Sequence, residues 1–227
     1  IEELGRELSV PTVKQRLAGV RHLFDWLVRC HVVPTNPAVS VRGPAYSVRR
    51  GKTPVLDPVE ARELIDSIDV STPIGLRDRA LIGLMVYSFA RVGAALGCRV
   101  EDVFVQQRRL WIRLHEKGGK AVDLPCHHNL ETYLQAYLDG TAIAGDTDGP
   151  LFRTVGRGTR HLTRTALPSA NAYAMVQRRA KAAEIETRIG NHTFRATGIT
   201  AYLKNGGTLE RAAVIANHAS TRTTQLY

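Results

Sequence analysis

"RDRALIGLMVYSFARVGAAL" (residues 77–96) decides the fold class, because a stretch apolar on nearly every side forms a stable helix only when it is buried. A buried helix needs other elements packed around it, and the flanking sequence supplies them. Upstream, "LDPVEARELI" (56–65) carries a helix start: Asp57 as N-cap, Pro58 at the first helical position and Glu60 completing a capping box. Downstream, "RLWIRLHEKGGKAVDLP" (109–125) changes period. Leu110, Ile112 and Leu114 alternate with Trp111, Arg113 and His115, and the pair Gly118-Gly119 precedes a second short run, which predicts a β-hairpin. Helical patterns return over 129–139, 169–184, 193–204 and 209–217, the third closed by Gly206-Gly207. "DGTAIAGDTDGP" (139–150) and "RTVGRGTRHLTRT" (153–165) read as surface loops. The expected class is therefore mainly α with a small antiparallel β-sheet, α+β.

Toward the N-terminus, Val13, Leu17, Val20, Phe24 and Leu27 fall on one helical face within residues 12–33, leaving Lys14, Arg16 and Arg21 to face outward. A proline-rich basic stretch follows, and we expect a linker over 43–55 between a first domain (1–42) and a second (56–227). The chain of 227 residues has a formal net charge of +10 and a pI of about 9.9. Such a surplus favours a polyanionic partner, nucleic acid first and an anionic membrane surface second. No apolar run reaches the ~18 residues of a membrane span, and "IEELGRELSV" lacks the pattern of a signal peptide, so the sequence reads as a soluble intracellular protein. Cys30, Cys98 and Cys126 stand far apart and read as small core residues rather than a disulfide or zinc framework.

Several residues could carry chemistry. His192 and Arg195, three apart in "NHTFRATGITAYL" (191–203), project from one face at a helix start, where free N–H groups suit a phosphate. Taken alone, the pair reads as a capping or core histidine beside a surface cation. In "NHASTRTTQLY" (217–227), His218 precedes Tyr227 by nine positions, a span that one unbroken helix would stretch to ~13 Å. A fresh cap at Ser220 or Thr221 would let the chain fold back. A tyrosine there also reads as a core plug. Arg91, late in the apolar stretch with no acid shortly before it, would be costly to bury without an anionic or polar partner. Lys117 lies just before the hairpin turn, where it reads equally as a solvated turn lysine, and Lys120 could act in its place.

In this order, Arg91, Lys117 in a hairpin, "HTFR" and "NHASTRTTQLY" resemble the tyrosine recombinases, or phage-integrase family. The likeness covers most of the chain. It implies a catalytic domain over 56–227 preceded, in 1–42, by the C-terminal part of a helical core-binding domain. It also implies a site-specific recombinase or integrase that cleaves and rejoins double-stranded DNA through a covalent 3′-phosphotyrosyl intermediate, as a tetramer on DNA, without metal or other cofactor. Such an enzyme would work in the cytoplasm on the nucleoid. The implied catalytic set is Arg91, Lys117, His192, Arg195, His218 and Tyr227. Arg91 and Arg195 would clamp the phosphate, His218 would donate to it, His192 would take the phenol proton and Lys117 would protonate the leaving 5′-oxygen. Lys14, Arg16, Arg49, Arg50, Lys52, Lys120, Arg160 and Arg164 would grip the DNA backbone. The family pattern places an acid three residues after its first arginine, where this chain has Ala94, a histidine at Ala196 and a glycine at Asn217. The pattern also leads us to expect a fragment of a longer protein. A type IB topoisomerase shares the chemistry with a different outcome, and a non-catalytic DNA-binding module would keep Tyr227 as packing. A metal hydrolase on His115, Cys126, His127 and His128 ranks below both, since three adjacent residues on a strand end cannot converge on one ion.

Overall fold

The computed structural model describes residues 2–46, 51–116 and 118–227, so Arg49, Arg50 and Lys117 of the predicted set lie outside the described residues. The chain divides into two compact units, Ile1–Arg50 and Gly51–Tyr227.

The first unit holds α1 (Glu2–Glu7) and α2 (Val10–Arg29), with a proline in the first turn of α2. Val13 and Leu17 are buried, Phe24 and Leu27 half-buried, and Val20 is exposed, so the apolar stripe is narrower than its periodicity predicts. Lys14 and Arg16 face solvent. The segment after α2 is tied back to it by polar bonds: Asn36 Nδ2 donates to the Asp25 carboxylate (2.7 Å) and the Arg21 carbonyl (3.0 Å), while Arg21 Nε donates to the Ala38 carbonyl (3.1 Å). Cys30 is exposed at the end of α2, contrary to its reading as a core residue, because the helix stops there and leaves it without cover.

The second unit opens with α3 (Pro58–Asp66). Asp57 Oδ1 accepts from the amides of Val59 and Glu60, and the Glu60 carboxylate accepts from the Asp57 amide at 3.2 Å, which is the predicted capping box. Then come α4 (Pro73–Tyr87), capped by Thr72, and α5 (Val92–Leu96). Ala80, Leu81, Ile82, Leu84 and Met85 are all essentially buried, each large one contributing about 1.5–3 kcal/mol of apolar transfer. α4 packs against α6 (His128–Thr141) and α8 (Asn191–Lys204). The α4–α8 crossing is close because residue 198 is glycine: a Cβ there would stand 2.0 Å from the Val86 carbonyl oxygen.

The stretch 77–96 is two helices, not one. α4 ends at Tyr87, Ser88 Oγ donates back to the Leu84 carbonyl (2.6 Å), and Phe89 adopts a left-handed φ of 53°. Arg91 therefore sits at the N-cap position of α5, at a bend rather than deep in a helix, and is half-exposed. This removes the expected cost of a guanidinium buried in an apolar helix.

After a 3-10 turn (Val100–Asp102), β1 (Val103–Gln106), β2 (Arg109–Glu116) and β3 (Lys120–Pro125) form an antiparallel sheet in that order. The predicted hairpin is β2–β3, with Glu116 opposite Lys120 and positive φ at Gly118 and Gly119 in the turn. A second antiparallel pair, β4 (Arg153–Val155) and β5 (Leu162–Ala166), occupies the stretch read as a loop. Its core anchor comes from outside the repeat-free polar pattern: Phe152 and Leu167, flanking the strands, are buried and their backbones pair (2.9 Å). In the other expected loop, Ile143 is buried as well. α7 (Ser169–Ala182), α9 (Leu209–Ile215) and α10 (Thr221–Thr224) complete the unit. Helix and small antiparallel sheets together give the α+β architecture expected. Among the described residues no helix is long and apolar enough to cross a membrane.

Candidate active site

Five elements deliver the candidate groups to one place. Arg91 comes from the bend before α5, Glu116 from the end of β2, His192 and Arg195 from the first turns of α8, His218 from the end of α9, and Tyr227 from just past α10. Arg195 is the most deeply set, 1% exposed, which corrects its reading as a surface cation. Its two Nη groups donate to main-chain carbonyls, Nη1 to Phe89 and Nη2 to Ala216 (2.6 Å). The left-handed turn at Phe89 and the C-terminal end of α9 thus orient this guanidinium by neutral acceptors, and its charge stays uncompensated by any direct carboxylate contact among the described residues. Burial first, then the charge of Arg91, lowers the Arg195 pKa, while Tyr227, as charge and hydrogen-bond partner, and then Glu116 work the other way.

The chain from His218 to Tyr227 folds back as expected. Ser220 caps α10 by accepting from the Arg222 amide (3.2 Å), and the His218 and Tyr227 rings stack with centroids 6.0 Å apart. His218 Nδ1 lies 2.7 Å from the buried Thr224 hydroxyl. With that hydroxyl as donor, Nε2 carries the remaining ring proton of the neutral imidazole and can offer it to an anion. Asn217, at φ 47°, holds the left-handed backbone that swings His218 inward; asparagine tolerates this conformation, so glycine is not required there. Tyr227 packs against the cluster of Phe89, Ile199, Ala212 and Ala216 and remains half-exposed.

Both imidazoles are held neutral. Burial, then Arg195, Arg91 and His192 in that order, pushes His218 down to about 4, and burial, Arg195 and Arg91 also lower His192. Arg91 and Arg195 both act on His192 and His218, and Tyr227 joins them through its stack on His218 and its packing beside Phe89 and Ala216, whose carbonyls hold Arg195. Two guanidinium groups, two neutral imidazoles and a phenol with one nearby acid form a site suited to an oxyanion whose negative charge grows during reaction. Glu116, the acid, escaped sequence reasoning. Its signal was available: it continues the inward alternation Leu110, Ile112, Leu114, and all four are buried.

Of the predicted backbone grips, Lys14, Arg16, Lys52, Lys120 and Arg160 are exposed. Arg164 is exposed too, but its guanidinium is paired with Asp146 (2.5 and 3.1 Å). His115 Nε2 lies 2.9 Å from Asp102, and His127 stacks on Tyr87 with centroids 4.5 Å apart. Among the described residues no three His, Cys, Asp or Glu side chains are grouped to hold a metal ion.

Comparison with known proteins gives a consistent set of likenesses. Residues 54–227 match the model of the phage integrase family. The chain is 30% identical over 218 residues to the tyrosine recombinase XerD of Ralstonia nicotianae, spanning 95% of this chain and 68% of that one. Against the tyrosine recombinase XerC of Escherichia coli it is 27% identical over 220 residues, spanning 97% and 70%. Among solved structures, the XerH site-specific recombinase bound to its difH substrate aligns with a TM-score of 0.66 at 23% identity, over 97% of this chain and 62% of that one. A lambda integrase dimer bound to a COC′ core site aligns with a TM-score of 0.70 at 17% identity, over 99% and 61%. These structural likenesses bear on the fold.

Proposed function

The chain belongs to the phage integrase family of tyrosine recombinases, whose members cleave and rejoin DNA, and on that premise we propose that Tyr227 attacks a DNA phosphorus held in the cluster it shares with Arg91, His192, Arg195 and His218. The observation that carries this reading is geometric: Tyr227 stacks on His218 with ring centroids 6.0 Å apart and packs against the cluster of Phe89 and Ala216, the two residues whose carbonyls hold the buried Arg195 guanidinium.

The chemistry follows from charge. Ionising a phenol at neutral pH costs roughly 4 kcal/mol, and neighbouring cations reduce that cost. His192, kept neutral beside two guanidinium groups, takes the phenol proton as the Tyr227 oxygen bonds to phosphorus. Arg91 and Arg195 bind the non-bridging oxygens through charge-assisted hydrogen bonds that strengthen as negative charge builds, and His218 donates from Nε2. The bond from phosphorus to the 5′-oxygen breaks, and that oxygen receives a proton from Lys117, a role carried by the family likeness. The products are a 3′-phosphotyrosyl linkage and a 5′-hydroxyl. The ester bond is exchanged rather than hydrolysed, so a second 5′-hydroxyl can reverse the step without a nucleotide cofactor. We place the reaction on double-stranded DNA in a homo-oligomer, in the cytoplasm at the nucleoid. Solved relatives include a lambda integrase tetramer bound to a Holliday junction. Residues 1–42, as part of a core-binding domain, and the basic stretch 43–55 would hold the backbone, with Lys14, Arg16, Arg49, Arg50, Lys52, Lys120 and Arg160 as contacts.

The test is Tyr227→Phe, assayed with a nicked duplex that this protein enriches from a random pool. Covalent attachment is expected to vanish while DNA affinity stays within about twofold, as for loss of an interaction used only in the reaction. Attachment by the phenylalanine variant would move the nucleophile elsewhere. A linear substrate with two sites separates recombination from topoisomerase action, since strand exchange alone yields hybrid products.

A further inference from the structure

Glu116 is a charged residue in an apolar row. Strand β2 turns Leu110, Ile112, Leu114 and Glu116 to the same buried face, and the first three fill the core. A carboxylate at the fourth position, its side chain 5% exposed, is costly to bury unless it is paired. Compensation comes from Arg91, whose Nη1 donates to Glu116 Oε2 at 2.7 Å, and more weakly from Arg195. The pair is asymmetric: Arg91 is 43% exposed in its side chain while its partner is hidden. Glu116 takes one nitrogen of the guanidinium, and no other described residue accepts a hydrogen bond from Arg91. The helix before Arg91 has already ended at Tyr87, and Phe89 turns through a left-handed conformation, so the local backbone alone fixes this long side chain poorly.

Resting on the reading above, we propose that Glu116 is a positioning residue for DNA cleavage: anchored on a core strand, its carboxylate holds the Arg91 guanidinium in the cluster and leaves the remaining N–H donors for the phosphate. A carboxylate so close to the phosphate-binding groups also opposes an incoming anion. Orientation outweighs that repulsion, because a displacement of about 1 Å in a clamping group costs on the order of 100-fold in rate, whereas the acid's charge is already offset by two guanidinium groups.

A double-mutant cycle tests this with four chains: wild type, Glu116→Ala, Arg91→Ala and the double variant. Each is measured for single-turnover covalent attachment to the enriched nicked duplex, for equilibrium affinity to the same duplex, and for thermal unfolding. Glu116→Ala is expected to slow attachment between about tenfold and 100-fold with affinity little changed, and to have no further effect once Arg91 is alanine. Glu116→Gln, which keeps an acceptor, should lie between wild type and alanine, and carries the same cycle if the alanine variant does not fold. Losses that multiply independently in the double variant would assign Glu116 a structural role and overturn the proposal. Faster attachment or tighter binding by Glu116→Ala would overturn it as well, by making the acid a competitor of the phosphate. If wild type attaches and Tyr227→Phe does not, failure of the cycle removes this inference alone. If wild type does not attach, both readings fall.

Discussion

Around Asp78 two arginines share one buried acid; around Tyr227 two arginines, two imidazoles and one acid are gathered with positive charge in excess. At Asp78 the accounts are closed. Oδ1 accepts from Arg77 at 3.0 and 2.7 Å, Oδ2 accepts from Arg179 at 3.0 and 2.8 Å, and the third Arg77 nitrogen donates to the Arg153 carbonyl at 2.8 Å. At Tyr227, Arg195 is directed to two carbonyls and Arg91 to a single carboxylate oxygen, while burial first and the neighbouring guanidinium groups second lower the pKa of His192 and His218. The same residue types therefore do two jobs. A satisfied network ties α4 to α7, whereas the cluster at Tyr227 is the one we propose binds the phosphate.

Substitutions can break this contrast in order of expected size. Asp78→Ala leaves Arg77 buried without its acid and should lower unfolding free energy by about 3–5 kcal/mol in urea titration. Chemistry in the folded fraction should persist. Arg195→Ala reverses that pattern. It should slow covalent attachment by about 10²–10³-fold, as for loss of a donor to a developing oxyanion, measured under single turnover. Equal effects of the two changes on rate would erase the distinction between them.

A smaller effect depends on pH. His218 is held at about 4 in the folded chain against an ordinary value of 6.5. Between those values the unfolded chain binds more protons, so stability rises with pH across the window and is lost as pH falls from 6.5 toward 4. The slope stays below the roughly 1.4 kcal/mol per pH unit of one fully linked proton, since the ring is half-exposed and solvent screens it. His218→Gln should flatten the urea midpoint over that range, and an unchanged slope would assign the acid sensitivity to other groups. The smallest effects belong to the surface. Replacing Lys14 and Arg16 together should reduce the salt slope of DNA binding by about two, one for each phosphate contact, whereas Arg164, already paired with Asp146, should contribute less.

Legibility in the sequence followed locality. The capping box at Asp57, the β2–β3 alternation and the four later helices are written in spacings of a few residues, and the structure has those helices to within two residues at each end. The break between Tyr87 and Arg91 was hidden because phenylalanine at a left-handed φ is unusual, and nothing in "VYSFAR" announces it. The β4–β5 pair was hidden because glycine, arginine and threonine dominate it, with its apolar anchors just outside the strands. In the site, the residue types were legible from motif order, and their meeting was not, since Arg91, Glu116 and Tyr227 come from elements far apart in sequence. Glu116 was passed over because the alternation was read for its apolar members alone.

The most direct test of the Tyr227 site is chemical identification of the attached residue. Wild-type protein is trapped on the nicked duplex, digested with protease and nuclease, and the peptide bearing the nucleotide remnant is sequenced by mass spectrometry. The account predicts a 3′-phosphoryl group on the Tyr227 oxygen and on no other residue. Attachment mapped to any other side chain, or through a 5′-phosphate, would contradict it.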